Sequence, residues 1–270
     1  MNDRHYVLSA VTTFLIGALY AIAVHANVLR VPQDYATIQS AIDTAIDEDT
    51  IVVAPGYYLE NIDFIGKAIT LISSEGPATT IIDGGGSDSV VNFESGEGPT
   101  SVLSGFTIRN GGFPLVGDGG GIRIDNASPT ISNNHITDNT ACAGAGIYIY
   151  FGSPVIESNV ISNNSQAGCP VGSGGGIHVG GASNVQIIGN VISNNSVGGD
   201  GGAINLYAAG DGLIMDNIIA GNESYYGGGV SMINNVDGIL ILQNLIIANS
   251  SVRGGGIAWW SGPPAAIVNN

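Results

Sequence analysis

The chain of 270 residues holds 42 glycines and 10% charged residues, against usual shares of roughly 7% glycine and about 25% charged. Six lysines and arginines against 22 acidic residues give a formal net charge of -16, which excludes a basic face for nucleic acid. Ile, Val and Leu are plentiful and regularly spaced, as they are not in a disordered chain, so a folded, glycine-punctuated, β-rich protein is expected.

At the N-terminus Arg4 precedes an apolar run from Tyr6 to Ala23, and Val24-His25-Ala26 fits the small-residue rule for signal peptidase. Residues 1–26 are therefore read as a bacterial-type signal peptide cleaved after Ala26, leaving no membrane span in the mature chain. A retained anchor is the alternative, because the run of 18 residues is near the minimum span. Ser9, Gly17 and a threonine pair make the run only moderately apolar, and no cysteine follows it to carry a lipid. His5 and His25 leave any catalytic argument with this segment.

Residues 27–100 read as a cap with the first coils. Ile38, Ala41, Ile42 and Ala45 recur at helical spacing within Ala36–Ile46, with Asp34 or Thr37 as the N-cap. Strand-like runs follow at Ile51–Ala54, Ile62–Ile65, Ile69–Ile72, Thr80–Asp83 and Val90–Phe93. A solenoid needs a lid over its first apolar rung, and the helix is expected to supply it.

Residues 101–270 carry a repeat. A glycine-rich cluster ends in an apolar residue at Ile122, Ile147, Ile177, Ile204, Val230 and Ile257, at intervals of 25, 30, 27, 26 and 27. Between these clusters recurs Asn-x-Ile-x-x-Asn: Asn134/Asn139, Asn159/Asn164, Asn190/Asn195, Asn217/Asn222 and Asn244/Asn249. Two motifs locked to one period indicate a solenoid. After each cluster, apolar residues alternate as Ile122, Ile124 and Ile147, Ile149, the period of a strand with one face inward. These features predict an all-β, parallel β-helix, with the Asn columns at corners where they tolerate left-handed backbone and bond along the axis. The Asn-x-Ser/Thr matches at Asn163, Asn194, Asn222 and Asn249 are read as by-products of this repeat rather than glycosylation acceptors. The final half-rung, Pro264 to Asn270, matches Pro129 to Asn134, so further C-terminal rungs or end-to-end association are expected.

Tyr35-Ala-Thr-Ile-Gln-Ser-Ala-Ile, Asp49-Thr-Ile-Val-Val-Ala-Pro-Gly-Tyr-Tyr, Gly66-Lys-Ala-Ile-Thr-Leu and Thr80-Ile-Ile-Asp-Gly resemble the opening of right-handed β-helix proteins of the pectin-lyase-like superfamily. The later Gly-Gly-Ala/Gly-Ile and Ile-x-x-Asn elements are similar to the repeats of chlamydial polymorphic outer-membrane proteins, which mostly have Phe where this chain has Ile. The resemblance spans about 28–270 and implies right-handedness and a secreted or cell-surface setting. It fixes no activity, because the fold hosts lyases, hydrolases, epimerases, adhesins and inert spacers.

Residues between the inward positions form two outer columns: Arg123, Tyr148, His178, Asn205, Ser231, Ala258 and Asp125, Tyr150, Gly180, Tyr207, Ile233, Trp260. Tyr148, Tyr150, Tyr207 and Trp260, with Asp125 and Asn205 among them, suit a polysaccharide or surface glycan lying along the axis. This makes a carbohydrate-binding, adhesin-like or structural protein the leading reading. The alternative is a lyase or epimerase acting on uronic-acid polymers. There Arg123 (or Asn205) neutralises the carboxylate while His178 and Tyr148 exchange the proton. Clustered aspartates for a hydrolase are missing from these columns, where Asp125 stands alone. Calcium is possible on so acidic a surface, yet Asp118 and Asp200 have two rungs between them and lie about 14 Å apart, and no metal or cofactor site is identified. Cys142 and Cys169 occupy the same loop of adjacent rungs and are expected to form a disulfide in an oxidising compartment.

Overall fold

The computed structural model describes residues 26–112, 117–181, 183–234, 238–262 and 265–270. Apart from Ala26, the expected signal peptide lies outside these residues, as does Pro264. The chain winds as a right-handed parallel β-helix built on three sheets. The first has ten strands, from Val28–Val31 to Ala266–Val268. The second has eight: Ile62–Asp63, Val91–Phe93, Ile122–Asp125, Ile147–Tyr150, Ile177–Gly180, Ile204–Tyr207, Val230–Ile233 and Ile257–Trp259. The third, also of eight, runs from Gly56–Leu59 to Leu245–Ile247. Every pairing is parallel and in register: Ile122 lies opposite Ile147, then Ile177, Ile204, Val230 and Ile257.

The single α-helix among the described residues, Ile38–Thr44, buries Ile38, Ala41 and Ile42 against the first coil. Of the two expected caps Thr37 is used: its hydroxyl accepts from the Ser40 amide, and the Ser40 hydroxyl answers the Thr37 amide. Glu60 accepts from the free amides of Ile38 and Gln39, and Lys67 donates to the Ile42 and Asp43 carbonyls at the other end. Each charge thus opposes the helix dipole. The strand Val28–Val31, which precedes the helix and opens the first sheet, was not among the expected elements. The expected strand Ile62–Ile65 ends at Asp63, since Ile65 turns left-handed at φ 48°. Cys142 and Cys169 are disulfide-bonded, with Cα atoms 5.7 Å apart.

The asparagines form two buried ladders, Asn134–159–190–217–244–270 and Asn139–164–195–222–249. Within each, a side-chain amide donates to the Oδ1 of the next rung, as from Asn164 to Asn195 at 3.0 Å and Asn195 to Asn222 at 3.0 Å. The same Oδ1 accepts the backbone N–H of the preceding ladder residue, and each Nδ2 also donates to a carbonyl one rung back, as from Asn195 to Ile161 at 2.9 Å. One expectation needs correcting here: the ladder asparagines do not take the left-handed corner. The residue before each does, as at Asn133, Ser158, Asn163, Asn194, Asp216 and Gln243, with φ near 56°. The turn residue aims the following asparagine inward, where its amide is worth more bonded than exposed. Asn222, one of the Asn-x-Ser/Thr matches, is a fully buried ladder member.

Asn195→Ala leaves the amide of Asn164 and the carbonyl of Ile161 short of partners. A buried group so orphaned costs about 1–3 kcal/mol, so a clear fall in the urea midpoint is expected. Asn194→Gly, one residue away at φ 56°, is expected to stay within about 0.5 kcal/mol because glycine accepts left-handed backbone freely. Equal losses in both variants would show that the ladder is not what holds the register.

Candidate functional site

The second sheet presents the two outer columns as the spacing predicts. Arg123 lies opposite Tyr148, Tyr148 opposite His178, His178 opposite Asn205 and Asn205 opposite Ser231. A third column stands over them. Residues four before each motif position, Asp118, Ala143, Ser173, Asp200 and Tyr226, bridge one another in parallel, and Tyr226 continues to Arg253. The glycines that follow fold tightly onto the strand: a Cβ on Gly174 would sit 2.4 Å from the Ile177 carbonyl, and one on Gly201 2.4 Å from that of Ile204. Only glycine lets the chain turn back so closely, at φ of 66° and 69°. The column thereby becomes a wall beside the sheet.

The wall corrects the expectation that the first outer column faces solvent. His178 is only 9% exposed, and Asn205 and Ser231 are buried. Ser173 reaches from the wall to the His178 Nδ1 at 3.2 Å, and the Tyr148 ring stacks on the imidazole, with centroids 5.3 Å apart and planes at 5°. Burial pushes the His178 pKa down to about 4, against a slight lift from the nearby Asn205 amide, so the ring is neutral at physiological pH. That amide does not reach hydrogen-bonding geometry: among the described residues neither of its side-chain atoms has a partner, nor has the Ser231 hydroxyl.

Burial and the Asp118 charge push the Tyr148 phenol up to about 12, with Arg123 pulling the other way. The Asp118 carboxyl is itself raised by burial, despite the Ala143 N–H and Arg123. Arg123 is committed within its own surroundings. It pairs with Glu94 and, at 3.6 Å, with Asp125, and its guanidinium lies 5.5 Å from the centroid of the Tyr148 ring. The residues singled out for proton abstraction are therefore brought together, but with the cation neutralised, the phenol held protonated and the imidazole under cover.

The second outer column is open. Tyr150, Tyr207 and Trp260 are 37%, 49% and 47% exposed. Gly180 lies between the first two rungs, and a Cβ there would press within 3.2 Å of the Tyr150 ring. Tyr226 in the wall meets Trp260 edge to face, at 4.5 Å and 89°. Neither Tyr226 nor Phe151, which packs on Tyr150 at 4.4 Å, was among the expected contact residues. The signal for Tyr226 was its position four before the motif residue, the same offset that marks Asp118 and Asp200.

With the geometry in place, comparison with known proteins is informative. A family model described as periplasmic copper-binding protein (NosD) matches residues 42–267, and the chain belongs to this family. No curated protein matches it significantly. The family's periplasmic setting agrees with the expected extracytoplasmic location, and no helix among the described residues is long and apolar enough to cross a membrane. Among the described residues the donor set does not fit copper, and Met215 stands on the first sheet, apart from either histidine's sheet. Imidazole, thiolate and thioether are the ligands copper selects, yet His135 lies on the third sheet bonded to Ser162, and His178 lies on the second bonded to Ser173. Both cysteines are in the disulfide, and Met232 is in the core. No group of three His, Cys, Asp or Glu side chains converges among the described residues, and Asp118 and Asp200 stay three bridges apart.

A His pKa lowered in the folded state stabilises the fold above the unfolded value of about 6.5 and is lost as pH falls toward the folded value of about 4. Melting temperature is therefore expected to drop between pH 6.5 and 4, and His178→Gln to flatten that slope. Asp118 and Asp200, both raised by burial, act with opposite sign at the acid end. An unchanged slope in the variant would mean that His178 does not titrate as its burial requires.

Proposed function

We propose that this NosD-family chain is an extracytoplasmic carbohydrate-binding β-helix that takes a neutral glycan along the second sheet. The observation that carries this reading is the period of the exposed aromatics. Tyr150, Tyr207 and Trp260 recur on every second rung of one column, with Gly180 and Ile233 between them. Two rungs are about 9.6 Å, close to the repeat of two pyranose rings in an extended chain. Aromatic faces at that interval match alternate sugar rings, and the wall supplies hydroxyls and carboxylates beside them. The charge bears on which glycan: Glu94, Asp118, Asp125 and Asp200 line the strip, Arg123 is already paired, and the chain carries -16. A polyuronate meets repulsion there.

Elimination on a uronic acid finds less support. It needs a free cation and an accessible base, and Arg123 and His178 are spoken for or covered.

Affinity gels with neutral polysaccharides are expected to retard the protein, and gels with alginate, polygalacturonate or hyaluronan to retard it less. Tyr207→Ala and Tyr150→Ala should each weaken retention by about three- to tenfold, the worth of one aromatic contact. Retention of polyuronates with new near-ultraviolet absorbance that disappears in His178→Ala would replace binding by the lyase reading. Absence of retention on every polymer would sink both.

A further inference from the structure

At the C-terminal end of the groove, Asp200, Tyr226, Ile233 and Trp260 line a cleft of about 250 Å³. Its two aromatic rings stand nearly perpendicular, at 89°, so together they form a corner rather than a stack. The faces of such rings are negative and attract cations. One of them already does so within the chain, since the Arg253 guanidinium lies 5.6 Å from the Tyr226 centroid.

Asp200 is the group in this corner that lacks a complement. Its backbone is tied into the wall, with the carbonyl accepting from Gly174 at 2.8 Å. Its carboxylate, in contrast, has no ion pair or hydrogen bond among the described residues, and burial alone holds its pKa above the ordinary value. Beneath the wall, Asn205 and Ser231 lie opposite each other on the adjoining rungs, each five residues on from Asp200 and Tyr226 respectively. Both are buried with unpartnered polar atoms. A half-desolvated anion and two aromatic rings thus share one small space.

Arg253 lies over Tyr226 but pairs with no carboxylate among the described residues, so what Asp200 lacks is a cation of its own, and the kind of cation can be specified. A hard metal ion needs several oxygen ligands, and one carboxylate among aromatic carbons does not supply them. A quaternary ammonium is weakly hydrated and favours ring faces, and a primary ammonium pairs with a single carboxylate. The volume lies below the roughly 300 Å³ at which drug-sized pockets begin, which suits one headgroup or one sugar ring. We infer that the Asp200–Tyr226–Trp260 cleft is a binding site for an organic ammonium group, either a quaternary headgroup or a protonated amino sugar. The inference goes beyond the glycan reading and needs only the cleft.

The chain's two tryptophans are Trp259 and Trp260, so intrinsic fluorescence of the whole protein reports on the site directly. Titration with choline and with glucosamine at constant ionic strength, with N-acetylglucosamine as the uncharged control, is expected to give a saturable change for at least one amine and none for the control. Saturation by choline alone identifies a quaternary headgroup; saturation by glucosamine identifies an amino sugar. Asp200→Asn should weaken binding about tenfold, and Tyr226→Leu about three- to tenfold, as loss of an ion pair and of a ring face require. Tyr226→Leu leaves Asp200 in place, so the two variants test charge and ring independently. No saturation with either amine, or equal affinity for N-acetylglucosamine, or an unchanged affinity in Asp200→Asn, would overturn the site. Neutral-glycan retention that persists in Asp200→Asn would leave the glycan reading intact even then.

Discussion

The two asparagine ladders fix the register on which everything else in the molecule depends. A parallel sheet of three-residue strands has few backbone bonds per strand and no hairpin to set its pairing. Each ladder asparagine adds bonds in both directions: its Oδ1 receives the backbone and side-chain amides of one neighbouring rung, and its Nδ2 reaches a carbonyl of another. A slip of one residue would leave those groups buried and unpaired along the whole column. Buried polar networks of this kind stabilise only when complete, which is why the ladder runs unbroken to Asn249 on one corner and Asn270 on the other.

Register translates directly into the arrangement of the outer surface. Because rungs stack without offset, a residue's place in its repeat decides its neighbours on adjacent rungs, and loops of different length do not disturb them. The 30-residue interval between Ile147 and Ile177 holds the extra loop closed by the Cys142–Cys169 disulfide, yet Tyr148 and His178 still face each other. The glycine clusters do the complementary work. By turning back against the strand they set the wall column beside the sheet, so a flat face becomes a groove with a covered inner column and an open outer one.

This division explains what the sequence disclosed and what it did not. The period, the parallel strands, the inward columns and the pairings of Arg123, Tyr148, His178 and Asn205 were all legible, because a strand's alternation and a repeat's phase are properties of the string itself. Burial of His178, Asn205 and Ser231 was not. Phase tells which residues leave the core, but the wall that covers them is made by glycine backbone, and glycine's lack of a side chain hides how closely the loop returns. The asparagine corner was half legible for a related reason. Left-handed backbone and buried amide bonding are both asparagine habits, and only coordinates divide them between Asn194 and Asn195. Arg123 looked free because its partner Glu94 lies on the rung before the regular repeat, outside the columns that the repeat defines.

Membership of a family described as copper-binding sits beside described residues whose donor groups do not fit a copper site, and the solenoid accounts for both. The family match over residues 42–267 spans the scaffold, along which inward aliphatics, corner asparagines and glycine returns recur. Outer-column residues lie outside the inward core and the asparagine ladders that set the register. Function in such a fold therefore follows the columns rather than the coil. In this chain the columns offer aromatic rings and carboxylates, with His135 and His178 engaged by serines on separate sheets. Rings at two-rung intervals and an unpaired Asp200 are what the proposed glycan and ammonium readings rest on, and the chemistry of a soft metal is absent from the same positions among the described residues.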